Sequence, residues 1–154
     1  MTEEIYQKIY DQAIRFLNIK MHSVGELQEK LQRKKFSKTA IRKVLRELER
    51  LDFLNDERYA QIFVENLKQY KNAGFFGIKA KLHQKKIPTA IIERVLGDFY
   101  PLEEEVAVAR RFVKKLSRQG RKSYEKVARS LVSKGFRTEV TRAVLNEIFY
   151  SEKS

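Results

Sequence analysis

The sequence contains no cysteine, which excludes disulfide bonds and thiolate metal sites. It has only two histidines, His22 and His83, and no other ligand pattern accompanies them. Both are expected to be ordinary surface or boundary residues. No glycine-rich phosphate loop of the Walker type is present, so the chain is not expected to hydrolyse ATP. We therefore predict that it is not an enzyme and that it uses no cofactor and no metal.

Long apolar runs are also missing, and none approaches the ~20 residues that a membrane helix needs. The N-terminal residues include Glu3 and Glu4 and do not resemble the basic and then apolar start of a signal peptide. A composition of 42% hydrophobic and 34% charged residues is typical of a folded protein rather than a disordered one. The expectation is a cytoplasmic, monomeric protein without a membrane partner.

Acidic residues are scarce relative to basic ones, which gives a formal net charge of +13. The excess is uneven, because residues 107–142 hold twelve basic and two acidic residues. Such a region concentrates polyanions near the surface. A solubilising helix face is the alternative, but it would fit evenly mixed charge better than this one-sided distribution.

Only two prolines and six glycines interrupt the chain, and apolar residues recur at helical spacing throughout. Helix starts are predicted at Thr2, at the capping box Ser23-x-x-Glu26, at Ser37 and at Asn55. Later helix boundaries are predicted at Gly74, Pro88, Pro101, Gly120, Ser123 and Arg137. No strand-like alternation of convincing length appears. The sequence therefore predicts an all-α protein of about nine helices.

One pattern occurs three times, with a leucine followed by a basic turn, an aromatic residue or isoleucine, and a Val-Leu pair. Its three copies are Leu31-x-x-Lys34-Lys35-Phe36 with Val44-Leu45, Leu82-x-x-Lys85-Lys86-Ile87 with Val95-Leu96, and Leu131-x-x-Lys134-Gly135-Phe136 with Val144-Leu145. A period of about 50 residues indicates an array of small helical units that bury their apolar faces against one another. We predict three tandem three-helix modules, helix-turn-helix-like and stacked in an elongated, curved array, over residues 1–52, 53–100 and 101–154. The repeated apolar residues are interpreted as packing residues.

Two predicted helices of the third module present rows of basic residues. On the seventh helix the predicted binding residues are Arg110, Arg111, Lys114, Lys115 and Arg118, opposite a stripe that includes Val106, Ala109 and Val113. On the eighth helix they are Lys122, Lys126 and Arg129. Phosphate oxygens or acidic side chains could accept hydrogen bonds from these donors. Interaction with the negative end of their own helix would account for one or two of the cations and not for the whole row.

A second candidate set lies around the turns that precede the third helices of the first and second modules. It comprises Lys79, Lys81, Lys85 and Lys86 in the second module, with Arg33, Lys34 and Lys35 in the first. A phosphate-binding role and a plain polar turn surface remain equally open for it. Tyr70, Phe75 and Phe76 could stack on unpaired bases, but a core role is the preferred interpretation.

The junction between the first two modules reads Leu51-Asp52-Phe53-Leu54-Asn55-Asp56-Glu57-Arg58-Tyr59-Ala60. With Ser23-x-x-Glu26-Leu27-x-x-x-Leu31-x-x-x-x-Phe36, it resembles the RecX family of regulatory proteins, and the resemblance runs from about Ile9 to Phe149. Asp52, Lys35 and Lys86 depart from it, since glycine is common at these positions. Asp tolerates a left-handed backbone better than most residues, so the turn at Asp52 is expected to survive.

The resemblance implies a protein that binds the RecA–DNA filament, with RecA and both single- and double-stranded DNA as partners and no sequence preference. It also implies inhibition of RecA ATPase, strand exchange and coprotease activity, by blocking filament extension or promoting disassembly. The alternative is a helix-turn-helix DNA-binding protein, transcriptional or architectural, that acts independently of RecA.

Overall fold

The structure, a computed structural model, describes residues 2–150. Over that range all regular structure is helical and no strand occurs, which confirms the all-α prediction. The helices are α1 (Glu3–Ile19), α2 (Val24–Arg33), α3 (Lys38–Arg50), α4 (Asp56–Lys71), α5 (Phe75–Gln84), α6 (Thr89–Phe99), α7 (Leu102–Ser117), α8 (Tyr124–Ser133) and α9 (Thr138–Tyr150).

Polar side chains start several of these helices where the sequence predicts them. Thr2, Ser37, Asn55 and Ser123 each accept a hydrogen bond from the backbone N–H three residues later. Ser23 forms a complete capping box with Glu26. The residues before α5, α6 and α7 are Gly74, Pro88 and Pro101, and none of them supplies a side-chain cap.

The turn between the second and third helices of each module passes through the left-handed region. The φ angles are +67° at Lys35, +62° at Lys86 and +87° at Gly135. Asp52 also takes a left-handed φ of +64°, which confirms the expectation for this position. The predicted end of α7 at Gly120 is corrected to Ser117, because Gly120 lies in the turn beyond the helix with a φ of +117°.

Helix packing is densest within the sets α1–α3, α4–α6 and α7–α9, which agrees with units of three helices. Buried side chains form two clusters. One cluster consists of residues from α1–α3 together with Leu54, which follows α3. The other is continuous and includes residues from all of α4–α9. The module boundaries at 52/53 and 100/101 stay a prediction.

Neighbouring modules contact each other in the same way at two places, which we call the first joint (between modules one and two) and the second joint (between modules two and three). At the first joint, the start of α2 packs on the turn at Lys85 and Lys86, with Ser23 Oγ donating to the Lys85 carbonyl over 2.5 Å. A Cβ at Gly25 would lie 2.6 Å from the Cβ of Lys86, so glycine permits this approach. The Val24 N–H donates to Asp56 Oδ1 over 2.8 Å. Asp56, in the first turn of α4, thus also supports the start of α2 in the preceding module.

At the second joint, the start of α5 packs on the turn at Lys134 and Gly135 in the same way, and the two backbones approach each other more closely. The Gly74 N–H donates to the Lys134 carbonyl over 3.1 Å, and the Phe76 N–H donates to the Gly135 carbonyl over 2.8 Å. A Cβ at Gly74 would lie 2.4 Å from the carbonyl carbon of Gly135. Contact between the two backbones therefore depends on glycine, which the sequence pattern alone presents as helix punctuation.

Candidate functional site

Four of the twelve predicted binding residues are occupied by contacts within the chain. Arg110 forms two hydrogen bonds to the Glu147 carboxylate, at 2.8 and 2.5 Å. Arg111 donates to Asn72 Oδ1 over 2.9 Å and to the Lys68 carbonyl over 2.8 Å, which fastens α7 to the end of α4. Lys86 pairs with Glu29 at 3.0 Å, and Lys85 lies 4.0 Å from Glu26. Each of the four residues therefore has a partner within the chain, and only that of Arg111 links two modules through backbone and side chain together.

The other eight are Lys79, Lys81, Lys114, Lys115, Arg118, Lys122, Lys126 and Arg129. Within residues 2–150, none of their side chains has a hydrogen bond or an ion pair. Their cationic groups are therefore available to an external anion. Whether they bind RecA or DNA stays a prediction.

Two lysines that sequence analysis did not select join part of this set. Lys134 is the half-buried residue that follows α8, and its ammonium lies 5.8 Å from the centre of the Phe112 ring. Burial lowers the pKa of Lys134 first, and repulsion by Lys81, Lys71 and Lys115 lowers it further. We call Lys71, Lys81, Lys115 and Lys134 the lysine cluster. Its members come from α4, α5, α7 and the end of α8, so no single helix reveals it.

A shallow depression of about 310 Å³ adjoins the cluster between α7 and α8. Its lining residues are Phe112, Lys126, Arg129, Ser130, Ser133 and Lys134. No acidic residue is among them, whereas three cationic groups and two hydroxyls are. We call this depression the basic concavity. Ammonium, guanidinium and hydroxyl groups are the usual donors to phosphate oxygens, so the concavity is chemically suited to a polyanion.

The second joint holds the cluster in place. Lys134 and Gly135 lie directly against α5, and a Cβ at Gly77 would approach the Lys134 carbonyl to 2.7 Å. Lys81 lies on α5, one turn after Gly77, and Lys71 is the last residue of α4. The close backbone contact therefore brings lysines of two modules together.

A buried carboxylate reinforces this joint. Glu105 has no exposed surface, and Oε2 accepts from the backbone N–H of Phe75 over 2.9 Å and from that of Arg137 over 3.0 Å. Its Oε1 accepts from Arg137 Nε over 2.5 Å. One carboxylate thus supports the starts of α5 and α9, and α5 has no capping side chain of its own. Sequence analysis missed Glu105, since it is the last of three consecutive glutamates and nothing in the sequence separates it from the exposed pair.

Tyr100 extends this polar network. Its hydroxyl donates to the Ala73 carbonyl over 2.7 Å, and its own carbonyl accepts from Arg137 Nη2 over 2.8 Å. Burial raises the pKa of Tyr100, so the hydroxyl stays protonated and remains a donor. The Arg137 guanidinium also lies 4.0 Å from the centre of the Phe75 ring. Modules two and three are thereby held together by both a shared core and a buried polar network.

The environment of His22 corrects the expectation that it is a surface or boundary residue. Only 2% of it is exposed. Lys30 Nζ lies 2.8 Å from His22 Nε2 and can only donate, so Nδ1 carries the proton and donates to the Lys20 carbonyl over 2.9 Å. Burial lowers the pKa of His22, and the nearby Lys30 lowers it further. His83 is exposed on α5, as expected.

Of the three aromatic residues for which a core role was preferred, the structure places one in the core and two on the surface. Phe75 packs against the large core with Tyr100, which confirms a core role for it. Tyr70 is 67% exposed and Phe76 is 52% exposed, so the core interpretation is wrong for these two. A separate concavity of about 410 Å³ is lined by Ile14, Leu17, Asn18, Met21, His22, Phe53, Asn55 and Arg58. It lies beside the first joint and includes part of the junction motif.

Other kinds of site are not indicated in the described part of the chain. Among residues 2–150, no group of histidines and carboxylates is arranged to hold a metal ion. None of the helices in that range combines the length and apolar character that crossing a bilayer requires.

Comparison with known proteins gives a consistent result. Residues 10–48 match the family model for the first three-helix domain of RecX, and residues 55–96 match that for the second. The regulatory protein RecX of Chlorobium phaeobacteroides is 32% identical over 151 residues, which cover 98% of this chain and 100% of that protein. RecX of Prosthecochloris aestuarii is 29% identical over 148 residues, covering 96% and 98% of the two chains. The crystal structure of RecX from Lactobacillus salivarius superposes with a TM-score of 0.87 at 25% identity, covering 95% of this chain and 97% of that one.

Proposed function

The chain belongs to the RecX family of regulatory proteins, and we propose that it regulates the RecA recombinase by binding the RecA–DNA filament. Bound there, it inhibits RecA ATPase, strand exchange and coprotease activity, either by blocking filament extension or by promoting disassembly. It acts as a cytoplasmic monomer without catalytic activity of its own, in recombination, DNA repair and the SOS response. Its partners are RecA and DNA of either strandedness, bound without sequence preference.

The observation that carries this proposal is the uncompensated basic surface on the joined second and third modules. Lys114 and Lys115 on α7 and Arg118 directly after it have no partner within residues 2–150, and the basic concavity lies between α7 and α8. A filament of RecA and DNA presents both phosphates and acidic side chains, which are the acceptors that such donors require. An array of stacked modules also suits a partner with repeating subunits, since it offers a long binding surface.

The direct test is the single-strand-DNA-dependent ATPase of the cognate RecA on preassembled filaments. The protein is titrated in at fixed salt with DNA in excess, so that competition for free strand does not explain a loss of rate. We expect inhibition well below one molecule per RecA protomer. An unchanged ATPase rate at one molecule per protomer would refute the proposal.

Charge reversal tests the basic surface itself. The variant Lys114→Glu/Lys115→Glu/Arg118→Glu is expected to inhibit RecA weakly while keeping its helicity. Arg111 is left intact, because its hydrogen bonds to α4 make it structural. The matched control reverses Lys8, Lys38 and Lys43, which are exposed and unpaired and lie in the first module. Full inhibition by the folded α7 variant would remove these residues from the binding surface.

A second candidate function is DNA binding by helix-turn-helix modules without RecA. The three-helix units and the net charge of +13 support it. It requires tight, steeply salt-dependent DNA binding, with or without sequence preference, together with no effect on RecA. The ATPase titration above therefore distinguishes the two functions.

A further inference from the structure

The lysine cluster is a concentration of like charge that the chain itself leaves unbalanced. Lys134 is half-buried at the second joint, where its backbone lies against Gly77 of α5, and the charges of Lys71, Lys81 and Lys115 are close enough to repel its own. No carboxylate within residues 2–150 forms an ion pair with any of the four. Elsewhere the chain does provide such partners, as in Lys86 with Glu29 and Arg110 with Glu147. Removing like-charge repulsion is favourable, so an external anion bound here would stabilise the fold.

The position of the cluster indicates an extended anion rather than an isolated one. Beside Lys134 the basic concavity continues with Lys126, Arg129 and the hydroxyls of Ser130 and Ser133. A single carboxylate would leave most of these donors without an acceptor. A phosphodiester chain carries one negative charge per nucleotide and presents acceptor oxygens at regular intervals, which matches a row of separated donors. The depression is shallow and about 310 Å³, and a flexible single strand can follow it across the second joint more readily than a stiff duplex can.

We propose that the lysine cluster and the basic concavity form a binding site for the phosphate backbone of single-stranded nucleic acid. The strand passes over the second joint, with consecutive phosphates contacting Lys81 and Lys71, then Lys134, then Lys126 and Arg129. Close packing of Gly74, Gly77 and Gly135 sets the distance between the lysines of α4 and α5 and those of the third module. This inference deepens the proposed function, because it names the surface through which the chain contacts DNA.

The test compares two variants of equal net charge. The cluster variant is Lys71→Met/Lys81→Met/Lys134→Met, and the control is Lys8→Met/Lys38→Met/Lys43→Met. Methionine keeps an unbranched apolar stem, so the packing of Lys134 on Phe112 is largely preserved. Binding of a fluorescent oligothymidylate of about 20 nucleotides is measured by anisotropy between about 0.05 and 0.3 M salt.

Counterion release sets the expected size of the effect. Each single-strand phosphate contact contributes about 0.7 to the slope of log K against log salt, so three lost contacts lower its magnitude by about 2. At 0.15 M salt this corresponds to affinity roughly 50-fold weaker than wild type. The control is expected to bind within about twofold of wild type, because it removes charge away from the strand.

Stability provides an independent readout. Since the cluster variant removes mutual repulsion, it is expected to melt no lower than wild type, whereas lysines with a merely structural role would lower the melting temperature when replaced. The charge-conserving variant Lys71→Arg/Lys81→Arg/Lys134→Arg is expected to retain the salt slope of wild type. Equal slopes and affinities for the cluster variant and its control would overturn the proposal.

Two further arms separate the possible occupants and the two levels of inference. Inorganic pyrophosphate that competes as well as oligothymidylate at equal phosphate concentration would make free polyphosphate the occupant and overturn the nucleic-acid assignment. If wild type does not inhibit RecA but the cluster variant still loses DNA affinity, the proposed function is refuted and the phosphate site is supported. Inhibition of RecA by wild type, with normal DNA binding by the cluster variant, would overturn the site and leave the function standing.

Discussion

Replacing Glu105 is expected to loosen the second joint selectively. Its carboxylate accepts three hydrogen bonds, two from the backbone N–H groups of Phe75 and Arg137 and one from the Arg137 guanidinium. The Arg137 side chain is only 19% exposed, so Glu105→Ala leaves a largely buried cation and two helix starts without an acceptor. Breaking a buried pair by removing one partner costs about 3–5 kcal/mol.

Glu103→Ala is the matched control, because Glu103 lies in the same first turn of α7 and is exposed. Its loss removes only a favourable interaction with the helix dipole, worth about 0.3–1 kcal/mol. The two substitutions are therefore expected to differ by roughly 2–4 kcal/mol in the free energy of unfolding. Urea titrations followed by far-ultraviolet circular dichroism measure this difference.

Amide hydrogen exchange locates the effect. Because the core of α4–α9 is separate from that of α1–α3, the amides of Phe75 and Arg137 are expected to lose protection while that of Leu31 in α2 does not. If Glu105→Ala destabilises no more than Glu103→Ala, the structural role assigned to the carboxylate is wrong. Equal loss of protection in α2 and α5 would contradict the separation of the two cores.

Three other perturbations test local features of the fold. Burial and Lys30 lower the pKa of His22 below its ordinary value near 6.5. The stability that His22 contributes is therefore complete above about pH 6.5 and declines as the pH falls toward its folded-state pKa. Between pH 7.5 and 5, the urea midpoint of His22→Gln should fall less than that of wild type. Gly135→Ala should destabilise the protein by at least about 2 kcal/mol more than Gly120→Ala. Both glycines have a positive φ, but only the Cβ at Gly135 would meet backbone, 2.2 Å from the nitrogen of Gly77. Equal melting temperatures for the two variants would refute the close contact. Lys35→Gly should stabilise by up to about 1 kcal/mol, because Lys35 is exposed with a φ of +67°, and a lower melting temperature would contradict the left-handed turn.

Much of the fold could be predicted from the sequence because its signals are local. Ser23, Ser37 and Asn55 cap helices through bonds to residues three positions away, and the 50-residue repeat places each Leu and Val-Leu pair on one helix face. Interactions of this kind depend on spacing along the chain, and spacing is what a sequence shows. The same holds for the basic rows, of which Lys114, Lys115, Arg118, Lys126 and Arg129 remain available to a partner.

The sequence by itself determined the helices, their number per module and the sign of the surface charge. Only the tertiary structure decided how modules join and which cations are free. Arg111 resembles its neighbours on α7 but is held by Asn72, 39 residues earlier, and Lys134 joins Lys71 and Lys81 through the Gly74–Gly135 contact. Glu105 is identical in type to Glu103 and differs only in what packs over it. Such roles depend on distances between residues that are remote along the chain, and those distances exist only once the modules have packed.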